Sequence, residues 1–271
     1  MNNLSFLTSI LRYSLIHPTV GMQLLQSKYQ TWCDSRNKDS IFNYGSKKNE
    51  LDEILQRLFP NSEYSVSDLQ KNVNDLQNHA RDFFNKLQGD VYPSRRKPYP
   101  IEYTLDNTSG FFLYVLCKLL KPEKIVETGV AYGSSSMYIL QAINENKKGM
   151  LYSIDYAFTP WQSKEMIGAA IPDQLRKNWK LVFGPSSQEL KKLLTSLDEV
   201  DVFFHDSLHT SKNMAFEFET AWLCIKKGGY LISDDISGNN AFYKFYSKLN
   251  IEPFILPQKS NNSYLGIIQK S

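Results

Sequence analysis

Apolar residues change their spacing near residue 100. Before it they recur at helical intervals. Phe6, Leu7, Ile10, Leu11 and Leu15 share one stripe, and Leu51, Ile54, Leu55 and Leu58 another. Leu69, Val73, Leu76, Phe83 and Leu87 mark a longer helix, predicted to be capped near Ser67 and stopped at Gly89. Residues 1–95 contain no run that reads as a strand. The segment Tyr92 to Pro100 holds Pro93, Pro98 and Pro100 and predicts an extended connector, because proline removes a donor and clashes inside a helix.

After residue 100, short apolar runs alternate with helical stretches. A helix is predicted over Ser109–Leu120, with others at Ser134–Asn144, Ser187–Leu194 and Lys212–Ile225. Strands are predicted at Lys124–Thr128, Leu151–Asp155, Lys180–Phe183, Asp201–His205 and Tyr230–Asp234. These runs lack a polar alternation, as expected when helices cover both faces of a parallel sheet. Two further strands, Ile251–Leu256 and Tyr264–Gln269, flank a polar loop from Gln258 to Ser263. A loop that short permits an antiparallel pair and no parallel crossover. The expected fold is therefore α/β: a Rossmann-like, doubly wound sheet, mostly parallel with an antiparallel last strand, plus a helical N-terminal region.

Composition narrows the setting. The chain has 271 residues, 42% hydrophobic and 22% charged, with a net charge of +3. That charge is too small to argue for nucleic acid or an anionic membrane. The most apolar run, Phe111 to Leu120, is short and carries Lys118, so no membrane span is expected. Met1 to Val20 lacks a basic start followed by an unbroken apolar core, so no signal peptide is expected. Cys33, Cys117 and Cys224 are scattered and odd in number, which suits a reducing, cytoplasmic location and makes no zinc or disulfide pattern.

The first chemical signal is Ile125-Val126-Glu127-Thr128-Gly129-Val130-Ala131-Tyr132-Gly133-Ser134-Ser135-Ser136. It reads as strand, glycine-spaced turn and helix start, a geometry that suits a nucleotide-like ligand. Asp155 ends the next strand, at the distance from which an acid reaches a ribose hydroxyl. The turn is not G-x-G-x-x-G. Glu127 precedes it, and an anion there repels a pyrophosphate while attracting an amine or cation. S-adenosylmethionine carries an ammonium and a sulfonium and no phosphate. The turn resembles motif I of the class I S-adenosylmethionine-dependent methyltransferases, with Glu127, Gly129, Ala131, Gly133, Ser135 and Asp155 as candidate cofactor residues.

The second signal lies at the ends of the later strands, where open α/β sheets bind ligands. The fourth ends His205-Asp206-Ser207-Leu208-His209 and the fifth Ser233-Asp234-Asp235. Crowded carboxylates are costly without a positive partner. A hard cation such as Mg²⁺ takes oxygen ligands and keeps several waters, so Asp206, Asp234 and Asp235 are the candidate metal set. Such an ion would hold a substrate hydroxyl and lower its pKa. His209 is the candidate general base. His205, on the strand itself, reads as a hydrogen-bonded residue behind the site.

The ordered set Lys121–Gly129, Leu151–Asp155, His205–Thr210 and Gly228–Asp235 is similar to the methyltransferase group containing the cephalosporin-hydroxylase-like and macrocin-O-methyltransferase-like proteins. The resemblance covers about residues 105–270. It implies a class I methyltransferase domain over 96–271; residues 1–95 fall outside the resemblance and are expected to form a helical cap or a substrate or oligomerisation region. It further implies that Glu127 holds the cofactor's amino group and that Asp155 binds its ribose. Catechol-type relatives hold Mg²⁺ with an Asp ending the fourth strand and an Asp–Asn pair ending the fifth. Asp206 and Asp234 match; Asp235 stands in place of Asn, and His209 in place of a lysine base. By this resemblance Asp206 serves both the metal and the cofactor.

The expected activity is methyl transfer from S-adenosylmethionine to a hydroxyl of a small molecule or sugar, with a homo-oligomer as a possible assembly. Two rivals stay open on sequence alone. One is a nicotinamide-dependent oxidoreductase on a similar sheet, and the other is a non-catalytic cofactor-binding scaffold.

Overall fold

A computed structural model describes residues 3–37, 41–46, 48–258 and 263–271. Seven strands form one sheet in the order β3-β2-β1-β4-β5-β7-β6. The central strand β1 (Lys124–Thr128) pairs parallel with β2 (Met150–Asp155) and β4 (Val200–His205). Outside these, β3 (Trp179–Phe183) and β5 (Ile225–Ser233) continue the parallel arrangement. The last strand, β7 (Tyr264–Gln269), runs antiparallel between β5 and β6 (Phe254–Pro257). Most of the loop predicted between β6 and β7, residues 259–262, lies outside the described residues. The strand order reverses between β1 and β4, which opens a crevice beyond their carboxyl ends. A dinucleotide-binding sheet of order 3-2-1-4-5-6 has no antiparallel strand inserted after the fifth.

Nine helices occur among the described residues: α1 (Asn3–Ile16), α2 (Pro18–Arg36), α3 (Leu51–Leu58), α4 (Val66–Gln88), α5 (Asn107–Leu120), α6 (Ser134–Asn146), α7 (Ser186–Leu197), α8 (Ser211–Cys224) and α9 (Ala241–Leu249). Successive strand residues point to opposite faces, so each strand feeds two cores. Ile125, Val202 and Ile232 pack with Phe112, Val115 and Leu140 of α5 and α6. Val126, Phe203 and Leu231 pack with Leu194, Phe218 and Phe242 of α7, α8 and α9.

The first of these cores also takes Ile54 and Leu55 from α3 and Val73 and Leu76 from α4. It therefore continues across residue 95, where the texture of the sequence changes. Helix α4 begins at Val66, two residues before the start implied by a cap at Ser67, because the Ser65 hydroxyl accepts the amide of Asp68. The proline-rich segment after Gly89 is irregular, as predicted. The N-terminal stripe behaves differently from the others. Ile10 is half-buried, whereas Leu7, Leu11 and Leu15 are exposed; the side chain of Phe6 lies outside the described residues. No helix among the described residues is long and apolar enough to cross a membrane.

Candidate active site at the carboxyl edge of the sheet

The glycine turn after β1 is held by an acid from the neighbouring strand. Oδ2 of Asp155 accepts the amides of Val130 and Ala131 at 2.9 and 2.8 Å, and Oδ1 accepts the amide of Tyr156 at 2.6 Å. A carboxylate has about four acceptor sites, so one remains for a ligand hydroxyl. Burial raises the Asp155 pKa, and the three amides oppose that. Gly129 has φ +83° and lies so close to the Asp206 carbonyl that a Cβ would collide with it. The same residue therefore shapes the turn and seats the loop after β4. Gly133 (φ +91°) is the N-cap of α6 and packs against Gly168 and Ile171. Gly168 and Ala170 also donate to the carbonyls of Ala131 and Tyr132, which pins the turn from above.

Glu127 is buried beneath the turn. Its carboxylate is fully buried and accepts from Ser135 at 2.5 Å, Ser136 at 2.6 Å and Ser153 at 2.6 Å. Burial raises its pKa against the pull of those hydroxyls. The serines at the start of α6 thus face inward and join β1, β2 and α6 beneath the turn. The three hydroxyls leave one of its acceptor sites for a cofactor amine. Ser135, a candidate for direct cofactor contact, is engaged the same way. Trp179 donates from Nε1 to Ser153 at 2.9 Å and closes the network on the β3 side.

The acids and histidine beyond β4 and β5 converge. Ligand atoms of Asp206, His209 and Asp234 all lie within 4.8 Å of one another. His209 Nε2 is 3.9 Å from Asp206 Oδ1. This nitrogen is shielded and has no hydrogen-bond partner. Burial, assisted by His205, lowers the His209 pKa to about 3, with Glu217 opposing. The imidazole is therefore neutral at ordinary pH. Burial and the adjacent Asp234 raise Asp206 well above the usual carboxylate range. Burial pushes Asp234 up to about 6, although Gln258 donates to its Oδ1 at 2.5 Å. Two desolvated carboxylates form an oxygen pair that a divalent cation would satisfy, with the unpartnered imidazole nitrogen beside them.

Asp235 is not part of this cluster. It sits in a left-handed conformation with φ +41°, and its Oδ1 accepts the hydroxyl of Ser263 at 3.2 Å. The expected three-aspartate set thus gives way to two aspartates and a histidine, because the chain turns between residues 234 and 235.

Glu217 of α8 is a further element of the site. It is fully buried and gathers His205 Nδ1 at 2.7 Å, Ser207 Oγ at 2.8 Å, Asn213 Nδ2 at 3.1 Å and Thr128 Oγ1 at 2.5 Å. His205 therefore sits behind the site, edge-on to His209 with centroids 5.2 Å apart. Sequence reasoning missed Glu217. Its signal was an acid between Phe216 and Phe218 on an apolar helix, four and seven residues from the polar positions Asn213 and Thr210. Gln258 and the arm residues Gln30 and Asp34, which bond to Thr210 and Ser211, carried no local signal. Among the aromatics near the site's flanks, Tyr99, Phe111 and Trp161 are buried and Tyr103 is exposed.

Residues 126–236 match the family described as the methyltransferase domain. The fold is similar to that of SAH-bound methyltransferase PaMTH1 from Podospora anserina, at 18% identity and TM-score 0.52, covering 85% of this chain and 97% of that one. It is also similar to an O-methyltransferase from Bacillus cereus in complex with SAH, at 17% identity and TM-score 0.50, covering 80% and 97%. A third neighbour is TomG from Streptomyces achromogenes, an O-methyltransferase of tomaymycin synthesis in complex with SAM, at 14% identity and TM-score 0.51, covering 85% and 100%. No curated protein matches the sequence. The domain match over residues 126–236 and the antiparallel β7 beside β5 give this chain the fold of those methyltransferases.

Proposed function

We propose that the protein is an O-methyltransferase that moves a methyl group from S-adenosylmethionine to a hydroxyl of a small molecule or sugar. One observation carries this reading: the cofactor turn and the acid–histidine cluster meet at Gly129, which touches the Asp206 backbone. A donor bound at the turn would thus lie beside groups able to prepare a hydroxyl. The named O-methyltransferases of like fold support the choice of oxygen.

Asp206 and Asp234 would hold a divalent cation, Mg²⁺ by the chemistry of its oxygen ligands. When bound, the ion supplies a positive charge that lowers the pKa of an acceptor hydroxyl. His209, unpartnered at Nε2, would take the hydroxyl proton. Asp155 would bind the ribose with its remaining acceptor site, and the protein's main contribution is alignment of donor and acceptor.

The test is transfer of labelled methyl from S-adenosylmethionine to a panel of vicinal diols, catechols, sugars and simple alcohols, with Mg²⁺, with Mn²⁺ or with a chelator. Label on oxygen that is lost with the chelator supports the full reading. Label that persists with the chelator removes the metal. Cofactor binding without turnover on any acceptor points to a scaffold.

A further inference from the structure

We propose that Gln258 is a positioning residue of the candidate metal site, whose side-chain amide holds the Asp234 carboxylate in place beside Asp206. This role rests on the metal reading above and adds to it a residue from outside β4 and β5. Gln258 directly follows β6 and lies 24 residues from Asp234 along the chain. Its Nε2 donates to Asp234 Oδ1 at 2.5 Å and to Ser109 Oγ at 3.2 Å. Both hydrogens of the amide are thus engaged.

The amide is fixed at both ends. Ser109 is fully buried, and its hydroxyl donates to Asp106 Oδ2 at 2.6 Å, which leaves the lone pairs of its oxygen for Gln258. Asp106 is the N-cap of α5, so this anchor belongs to a helix packed on the sheet. At the other end the Ser263 hydroxyl donates to Gln258 Oε1 at 2.6 Å, closer than its 3.2 Å to Asp235 Oδ1. The backbone amide of Gln258 also donates to the Ser263 carbonyl at 3.0 Å. Because a donor occupies Oε1, the NH₂ end is the one that faces the carboxylate.

Asp206 and Asp234 come from the ends of different strands, yet their ligand atoms lie within 4.8 Å of each other. Two carboxylates that close repel, and the last torsion of an aspartate is broad, so nothing local keeps either one aimed. A donor on Oδ1 stops Asp234 from turning, and its other oxygen then keeps one direction. The donor is also of the right charge. A lysine or arginine here would neutralise the acid and repel a cation, whereas a neutral amide orients the carboxylate and leaves its charge for the ion. Asp235 does not serve this purpose, since it turns to Ser263. Hydrogen bonds that orient ligating carboxylates belong to a metal site, and their loss costs about 10–100-fold in metal affinity.

Titration of Mn²⁺ into the full chain, with the free ion followed by electron paramagnetic resonance, tests this without any acceptor. The wild type is expected to bind the ion. Gln258→Leu should weaken that binding at least roughly tenfold. Its SAH affinity, measured without metal, and its far-ultraviolet circular dichroism should match the wild type. Gln269→Leu removes a glutamine amide from β7 that bonds to Gly228 and Tyr230, and should bind Mn²⁺ as the wild type does. If Gln258→Leu loses its fold, Gln258→Met, unbranched and without a donor, replaces it. Equal Mn²⁺ affinity in the folded Gln258 variant overturns the proposal and leaves the metal reading standing. Tighter binding does the same, by showing that the amide competes with the ion. A wild type that leaves the free-ion signal undiminished overturns both.

Discussion

His205 Nδ1 lies 2.7 Å from Glu217 Oε2, and both side chains are fully buried. Burial alone would raise the Glu217 pKa, but the pairing with His205 and the surrounding hydroxyls hold it at about 2, below the usual 4.5. Removing the acid strands a buried imidazole. Glu217→Ala is expected to cost about 3 kcal/mol, the scale for breaking a buried pair, measured by urea unfolding at neutral pH. A loss under about 0.5 kcal/mol, the scale of a surface change, would show that the pair contributes little.

The same shift gives a pH signature. A carboxylate with a depressed folded pKa contributes stability that is full above its unfolded value and lost as pH falls toward its folded value. For Glu217 the window runs from about 4.5 down to about 2. Unfolding midpoints between pH 5 and 3 should fall more steeply in the wild type than in Glu217→Gln. Parallel slopes would contradict the shift.

Asp155→Ala removes the acceptor of the Val130 and Ala131 amides and the proposed ribose contact. Hydrogen bonds to a charged group are worth about 1.5–3 kcal/mol each. SAH affinity should fall at least roughly tenfold, while Asp235→Ala, outside the cluster, leaves it unchanged. Equal affinities for Asp155→Ala and wild type would remove Asp155 from the cofactor site.

His209→Ala should lower kcat by about 10²–10⁴, the range for general acid–base catalysis, with SAH binding preserved. Restoration of turnover at higher Mg²⁺ would instead make His209 a metal ligand. Full activity would exclude it from both roles.

Gly129→Ala should destabilise the fold by about 2 kcal/mol or more, since it combines a positive φ with a collision at the Asp206 carbonyl. Gly238→Ala, where a Cβ meets nothing, is the control and should be close to neutral. Equal melting temperatures for the two would show that the turn can relax.

The sheet was legible because its strands are short apolar runs separated by helix-length intervals, and Ile125 and Val126 each serve a different core. The antiparallel end followed from the short connection before Tyr264. Asp155, Asp206, His209 and Asp234 were legible as strand-end residues. Other features were not. Sequence marks Glu127 as an acid at the turn but does not show that Ser135, Ser136 and Ser153 enclose it, since Ser153 arrives from another strand. Asp235 looks equivalent to Asp234 in sequence, and only the backbone turn between them sends the two carboxylates to different partners. The N-terminal stripe has the period of a core helix, yet Leu7, Leu11 and Leu15 face water. Periodicity reports that a face is apolar and not what covers it.

Calorimetry of SAH binding to the wild type, with and without Mg²⁺ and against NAD as control, tests the central claim most directly. The account predicts micromolar binding of SAH, altered by Mg²⁺, and none of NAD. No heat with SAH, or binding of NAD in its place, would contradict it.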